Sequence, residues 1–118
     1  MQSATLKDRK ITFQAATGFF LLAALLGALM RFIYLREVPF LDYKHILHAH
    51  SHLAMLGWGF TALAGALVFS LIAKVASLAV YRKALIGNLV AGAGMFFAFL
   101  YQGYGAVSIA FSTLHVFV

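Results

Sequence analysis

Charged residues interrupt this apolar chain at only a few places, and the uncharged runs between them set the predicted elements. Three runs are long: Ile11–Met30, His45–Ala73 and Ala84–Val118. A helix needs roughly 20 predominantly apolar residues to cross a bilayer, so each run predicts a membrane-spanning helix. The first is not a cleaved leader. The apolar region of a signal peptide is about 7–15 residues and ends at a small-residue cleavage site, whereas Ile11–Met30 is longer and is followed by "RFIYLREVPF". The third run, at about 1.5 Å rise per residue, would far exceed a hydrocarbon core of about 30 Å. The stretch "YQGYG", Tyr101–Gly105, has the glycines and aromatic residues expected of a turn at an interface, and it predicts a break. The expected fold is therefore all-α: a polytopic transmembrane helical bundle in a single domain. It has three full spans, about residues 11–35, 44–73 and 84–102, and the start of a fourth, about 104–118. The apolar pattern is still running at Val118, which predicts the N-terminal part of a larger protein. The alternative is a re-entrant or tilted C-terminal segment.

Composition strengthens this picture. Of 118 residues, 64% are hydrophobic and 10% charged, whereas a soluble domain has about 25% charged residues. The lipid bilayer is thus the expected partner. The formal charge of +6 does not point to nucleic acid, because the basic residues sit in the gaps between apolar runs, where they set topology. Lys7, Arg9 and Lys10 precede the first span, and Lys74, Arg82 and Lys83 separate the second from the third. Arg31, Arg36 and Lys44 share the intervening loop with Glu37 and Asp42. By the positive-inside rule the larger set is cytoplasmic, so the N-terminus is expected inside and the loop carrying Pro39 and Asp42 outside. With no cysteine, the chain has neither a disulfide nor a C-x-x-C-H site for c-type haem.

Candidate chemistry is concentrated in "HILHAHSHLAMLGWGF", His45–Phe60. Asp42 is a predicted N-cap for this span, and the helical rise puts His52 roughly 15 Å below it. Spacings of three and four place His45, His48 and His52 on one stripe, while His50 points away. Imidazoles at an interface can simply bond to water, carbonyls or headgroups, which suits His45. Several more within the span are functional candidates, because ionisable groups inside a membrane are costly. Two chemistries use such a stripe. One is a transition metal held by His48 and His52 with further ligands from another helix. The other is haem, whose iron takes an axial imidazole. Gly57, Thr61 and Gly65 recur at four-residue spacing beside Gly59, Ala62 and Ala66. They offer either a flat bed for a porphyrin or a surface for close helix packing. On the last segment His115, with Ser108, Ser112 and Thr113, is either a second ligand or a packing residue.

The pattern H-x-H-x-x-x-x-G-[WF], carried by "LHAHSHLAMLGW" (Leu47–Trp58), resembles the second span of haem–copper oxidase subunit I relatives. The C-family-like and NnrS-like branches are the nearest. "YQGYGAVSIAFSTLHVFV" (Tyr101–Val118) is similar to the turn and next helix of bacterial members. The resemblance spans nearly the whole chain but only about the first third of such a subunit. It implies a haem-binding subunit of a respiratory electron-transfer protein in the bacterial inner membrane, an oxidoreductase subunit that is not catalytically complete as given. His52, His48 and His50 are the implied cofactor-binding residues for a low-spin b-type haem, and His52 and His48 the implied metal ligands. Aligning His50 and His52 with Gly57 and Trp58 makes His52 the axial ligand. The oxidase pattern H-T-N fits His48 instead, yet His50 stands where its asparagine belongs, a departure that suits an NnrS-like or divergent member. Copper ligands, the high-spin haem ligand and the opposite axial ligand would come from later helices or other subunits. From the residues alone, two other readings remain open: a non-enzymatic membrane protein that binds or transports a transition metal through the stripe, and a structural or assembly subunit.

Overall fold

The computed structural model describes residues 2–72, 78–103 and 105–117. Among these, helix is the regular structure and there is no strand. Helix α1 is Gln2–Leu35, α2 is a continuous rod from Tyr43 to Ile72, α3 is Leu78–Gln102 and α4 is Ala106–Phe117. The first three are long and apolar enough to cross a membrane. At about 18 Å, α4 is not. Large apolar side chains such as Leu25, Met55, Leu63, Ile86 and Phe97 are exposed along the rods, as a lipid-facing surface requires.

Two helices begin earlier than the apolar pattern predicts: α1 at Gln2 rather than near residue 11, and α3 at Leu78 rather than near 84. The reason is local. Lys, Arg, Leu and Ala are good helix formers, so a charged residue ends an apolar run without ending a helix. Residues 73 and 74, the predicted end of the second span and one of its flanking lysines, lie outside the described residues, as do 104 and 118.

The α1–α2 connection turns at Pro39, with Leu41 N–H donating to the Val38 carbonyl at 3.1 Å, and Pro is favoured at that turn position. Asp42 then caps α2 as the sequence predicts. Its extended backbone (φ −92°, ψ 116°) lets the carboxylate accept from the N–H groups of Lys44 and His45 at 2.8 and 3.4 Å. The winding of α2 is not uniform. It is α-helical over Tyr43–His52 and Phe60–Leu67 but takes the wider π winding over Leu53–Gly59 and Val68–Ile72. The Phe60 N–H accordingly reaches back five residues to the Met55 carbonyl. Such π segments inside α-helices often occur at functional sites.

Packing concentrates at the Asp42 end. Phe19, Ala23 and Leu26 of α1, Ile46, Ala49 and Leu53 of α2, and Met95 and Phe99 of α3 form one buried cluster. Phe19 is the wedge of this three-helix junction. A Cβ added at Gly57 would stand 3.1 Å from its Cγ, and one at Gly92 only 2.7 Å from its Cζ. At the opposite end Arg82 Nε meets Asp8 Oδ2 at 2.7 Å, and the Thr12 hydroxyl meets the Tyr81 hydroxyl at 2.9 Å. The basic residues around Asp8 therefore share one end of the bundle with Arg82 and Lys83.

Gly103, at φ +61°, breaks α3 from α4, within the predicted "YQGYG" turn. Its N–H closes the helix onto the Phe99 carbonyl at 3.0 Å, and the Ser108 hydroxyl donates to its carbonyl at 2.7 Å. A Cβ there would lie 2.5 Å from His45 Cδ2. Gly103→Ala is therefore expected to lower stability by roughly 2 kcal/mol, part from the left-handed backbone and part from displacing His45. A detergent-unfolding titration followed by circular dichroism measures it, and an unchanged midpoint would refute the turn described here.

Candidate functional site

The Asp42 cap fixes where α2 starts, and hence which way each histidine faces. His45 lies at the mouth, its Nε2 3.9 Å from Asp42 Oδ2 and its ring against Gly103. One and two turns deeper, His48 and His52 face α3. The His52 ring stacks on Phe99, with centroids 4.4 Å apart and planes 19° from parallel. The His48 ring lies tilted at 6.1 Å from the same phenyl. Phe99 is fully buried, so one aromatic residue backs both imidazoles and holds the orientation of the deeper one.

His50 faces α1, as its spacing predicts. Its Nδ1–H donates to the Ala23 carbonyl at 2.8 Å, and because a carbonyl only accepts, the bond fixes the proton on Nδ1. Gly27 makes room for the ring, since a Cβ there would stand 3.2 Å from His50 Cε1. The bond ties α1 to α2, and His50 borders a separate groove with Arg31, Tyr34 and Tyr43. His115, on α4, turns its Nε2–H to the Leu56 carbonyl at 3.1 Å, within the π-wound part of α2, and meets Phe60 edge-on at 4.8 Å. It docks α4 onto α2.

The glycine stripe beside the histidines is filled by protein. Gly57 receives Phe19, and Gly65 receives Thr12, whose Cγ2 would lie 2.7 Å from an added Cβ. Of the two uses its spacing allowed, close helix packing is the one the structure adopts. Small residues let α1 and α2 approach in a solvent that offers no hydrophobic drive between helices.

The donor set can be tested against the two candidate ligands. Among the described residues no three His, Cys, Asp or Glu side chains converge as a metal-binding group. Two imidazoles one turn apart on one helix do not close a metal site, which takes three or four ligands. A haem iron asks less of one chain: a single imidazole nitrogen in the plane of its ring. Phe99 covers one face of His52. His48 and His52 leave the same helix on the same side, so the two could not hold one iron from opposite faces.

Two features escaped the reading of the sequence. Phe99 is one of 12 phenylalanines, and nothing local marks it as the backing for the histidines. Asn88 was legible, as an amide within an apolar run. It is buried, and its Nδ2 donates to the Thr61 hydroxyl at 2.6 Å.

The three long apolar helices and their exposed apolar surface define a multi-pass α-helical membrane protein. No family model, curated protein or solved structure matches the chain significantly.

Proposed function

We propose that this chain supplies an axial imidazole, His52, to a low-spin b-type haem. It would be a haem-binding subunit of a respiratory electron-transfer protein of the oxidase subunit I-like kind, in the bacterial inner membrane. The observation that carries the reading is the His52 ring held flat against buried Phe99, inside a helix long enough to cross a membrane. Ionisable side chains in such a position are functional candidates by default, and an aromatic wall that locks an imidazole reduces the ordering cost of ligation.

When bound, the haem would accept and release one electron. The chain's own part is to hold His52 in orientation through Phe99. His48, one turn nearer the Asp42 end, would line the edge of the same site. The opposite axial ligand and any copper centre would come from later helices or other subunits.

A reduced-minus-oxidised optical spectrum of the protein purified in its native assembly tests this. A b-type band is expected. Bound transition metal without haem would instead assign the stripe to metal binding, and neither would leave the histidines a packing role.

The proposed orientation has its own test. Arg82, bonded to Asp8, gathers the larger basic set at one end of the bundle, and the positive-inside rule makes that end cytoplasmic. Reporter fusions after Lys10 and Lys83 should read cytoplasmic, and a fusion near Pro39 external. An external signal at Lys83 would reverse the orientation.

A further inference from the structure

Away from the histidines, toward the Asp8–Arg82 end, α2 and α3 approach less closely and leave a cavity of about 150 Å³. Its walls are facing stripes at helical spacing: Phe60, Thr61, Ala64 and Val68 from α2, and Tyr81, Ala84, Leu85 and Asn88 from α3. Most of this lining is apolar, and Phe60 at its edge is exposed on the lipid-facing surface.

Asn88 makes the cavity more than a packing gap. It is 3% exposed, and its Nδ2 is bonded to Thr61, yet its Oδ1 is buried without a hydrogen-bond partner. Buried polar groups in native proteins are nearly always satisfied, and in a bilayer no solvent reaches the exception. Turning the amide over does not remove the problem. It would pair Oδ1 with the Thr61 hydroxyl and strand Nδ2 instead. A hydroxyl answers either arrangement, because it both donates and accepts. The other polar groups on the wall are already engaged, Tyr81 with Thr12 and Thr61 with Asn88. A lone water would answer the amide but leave most of the apolar lining bare. An apolar cavity of about 150 Å³ is the size that admits one benzene ring.

We propose that the α2–α3 cavity at Asn88 is a binding site for a single-ring amphiphile bearing a hydroxyl, entering from the bilayer, with its hydroxyl bonded to the Asn88 amide and its ring between Phe60, Val68 and Leu85. Neither His48 nor His52 lines the site, although His115 meets its Phe60 wall edge-on, and the site does not depend on the stripe binding haem.

Fluorine NMR of the purified full-length protein in detergent, with fluorophenol and fluorotoluene as probes at matched free concentration, tests it. Fluorophenol should bind saturably and about tenfold more tightly than fluorotoluene, the difference expected of about one net hydrogen bond. Asn88→Leu should erase that preference, and Ala84→Phe, which fills the cavity and leaves the amide intact, should abolish binding of both. Equal affinity for the two probes would overturn the proposal. So would the absence of saturable binding, which would mean that water or a lipid tail fills the space. Should Asn88→Leu fail to fold, the comparison on the unaltered protein and Ala84→Phe still decide the matter.

Discussion

His52→Ala is expected to abolish the low-spin haem spectrum of the native assembly, whereas His48→Ala should at most shift it. The two side chains share a face and one aromatic backing, but one axial position takes one imidazole. His52 stacks on Phe99 at 4.4 Å and 19°, while His48 lies tilted at 6.1 Å from the same ring, so Phe99 holds the plane of His52 more closely. If His52 is the proposed ligand, its removal would take away the chain's one bond to the iron. Removing His48 changes the surroundings of the site, and changes of that kind typically weaken metal binding by about 10–100-fold without abolishing it. His50→Ala separates packing from ligation. It loses the bond to the Ala23 carbonyl and should cost about 1 kcal/mol of stability with the spectrum intact. Optical spectra and haem content per mole of protein read all three. An essential His48 with a dispensable His52 would move the ligand one turn toward Asp42, to the H-T-N register. Unchanged haem content in both variants would take the site off this stripe altogether.

The second large effect is expected at the junction of the three long helices. Phe19→Ala should destabilise the bundle by about 3–5 kcal/mol, the usual cost of emptying a buried phenylalanine site. Gly92→Ala should cost about 1–3 kcal/mol by overpacking, because its Cβ would meet Phe19 Cζ at 2.7 Å. The two are coupled through one ring. In the Phe19→Ala background the added methyl has room, so Gly92→Ala should become nearly neutral, a non-additivity of the size seen for residues in contact. Detergent-unfolding midpoints of the four proteins measure the coupling. Strictly additive losses would mean that Phe19 does not fill the space between Gly57 and Gly92.

How much of this was legible in the sequence varies by feature. The helical class, the break at "YQGYG" and the Asp42 cap were readable because each depends on neighbouring residues: apolar run length, a glycine free to take φ +61°, a carboxylate beside open N–H groups. Division of the histidines between two faces also followed from spacing alone, and His50 does turn to α1 while His48 and His52 turn to α3. Helix starts were misplaced where charge was read as a boundary, since Lys7–Lys10 and Arg82–Lys83 are charged but still helical.

The glycine stripe shows where local reading ends. Gly57 and Gly65 were equally compatible with a flat cofactor and with a neighbouring helix, because small residues announce a close approach without naming what approaches. Only the fold supplies the occupants, Phe19 and Thr12, from positions far away in the chain. The same holds for Phe99 behind His52 and for the Thr61–Asn88 pair beside the α2–α3 cavity. By itself the sequence determined that this chain makes long apolar helices, where they turn, and which residues share a face, because those properties follow from hydropathy, backbone freedom and helical period. Tertiary structure alone decided which face meets which, and so which imidazole is locked in place and which polar atom is left unpaired, because contacts between distant segments depend on the packing of whole helices and not on any local pattern.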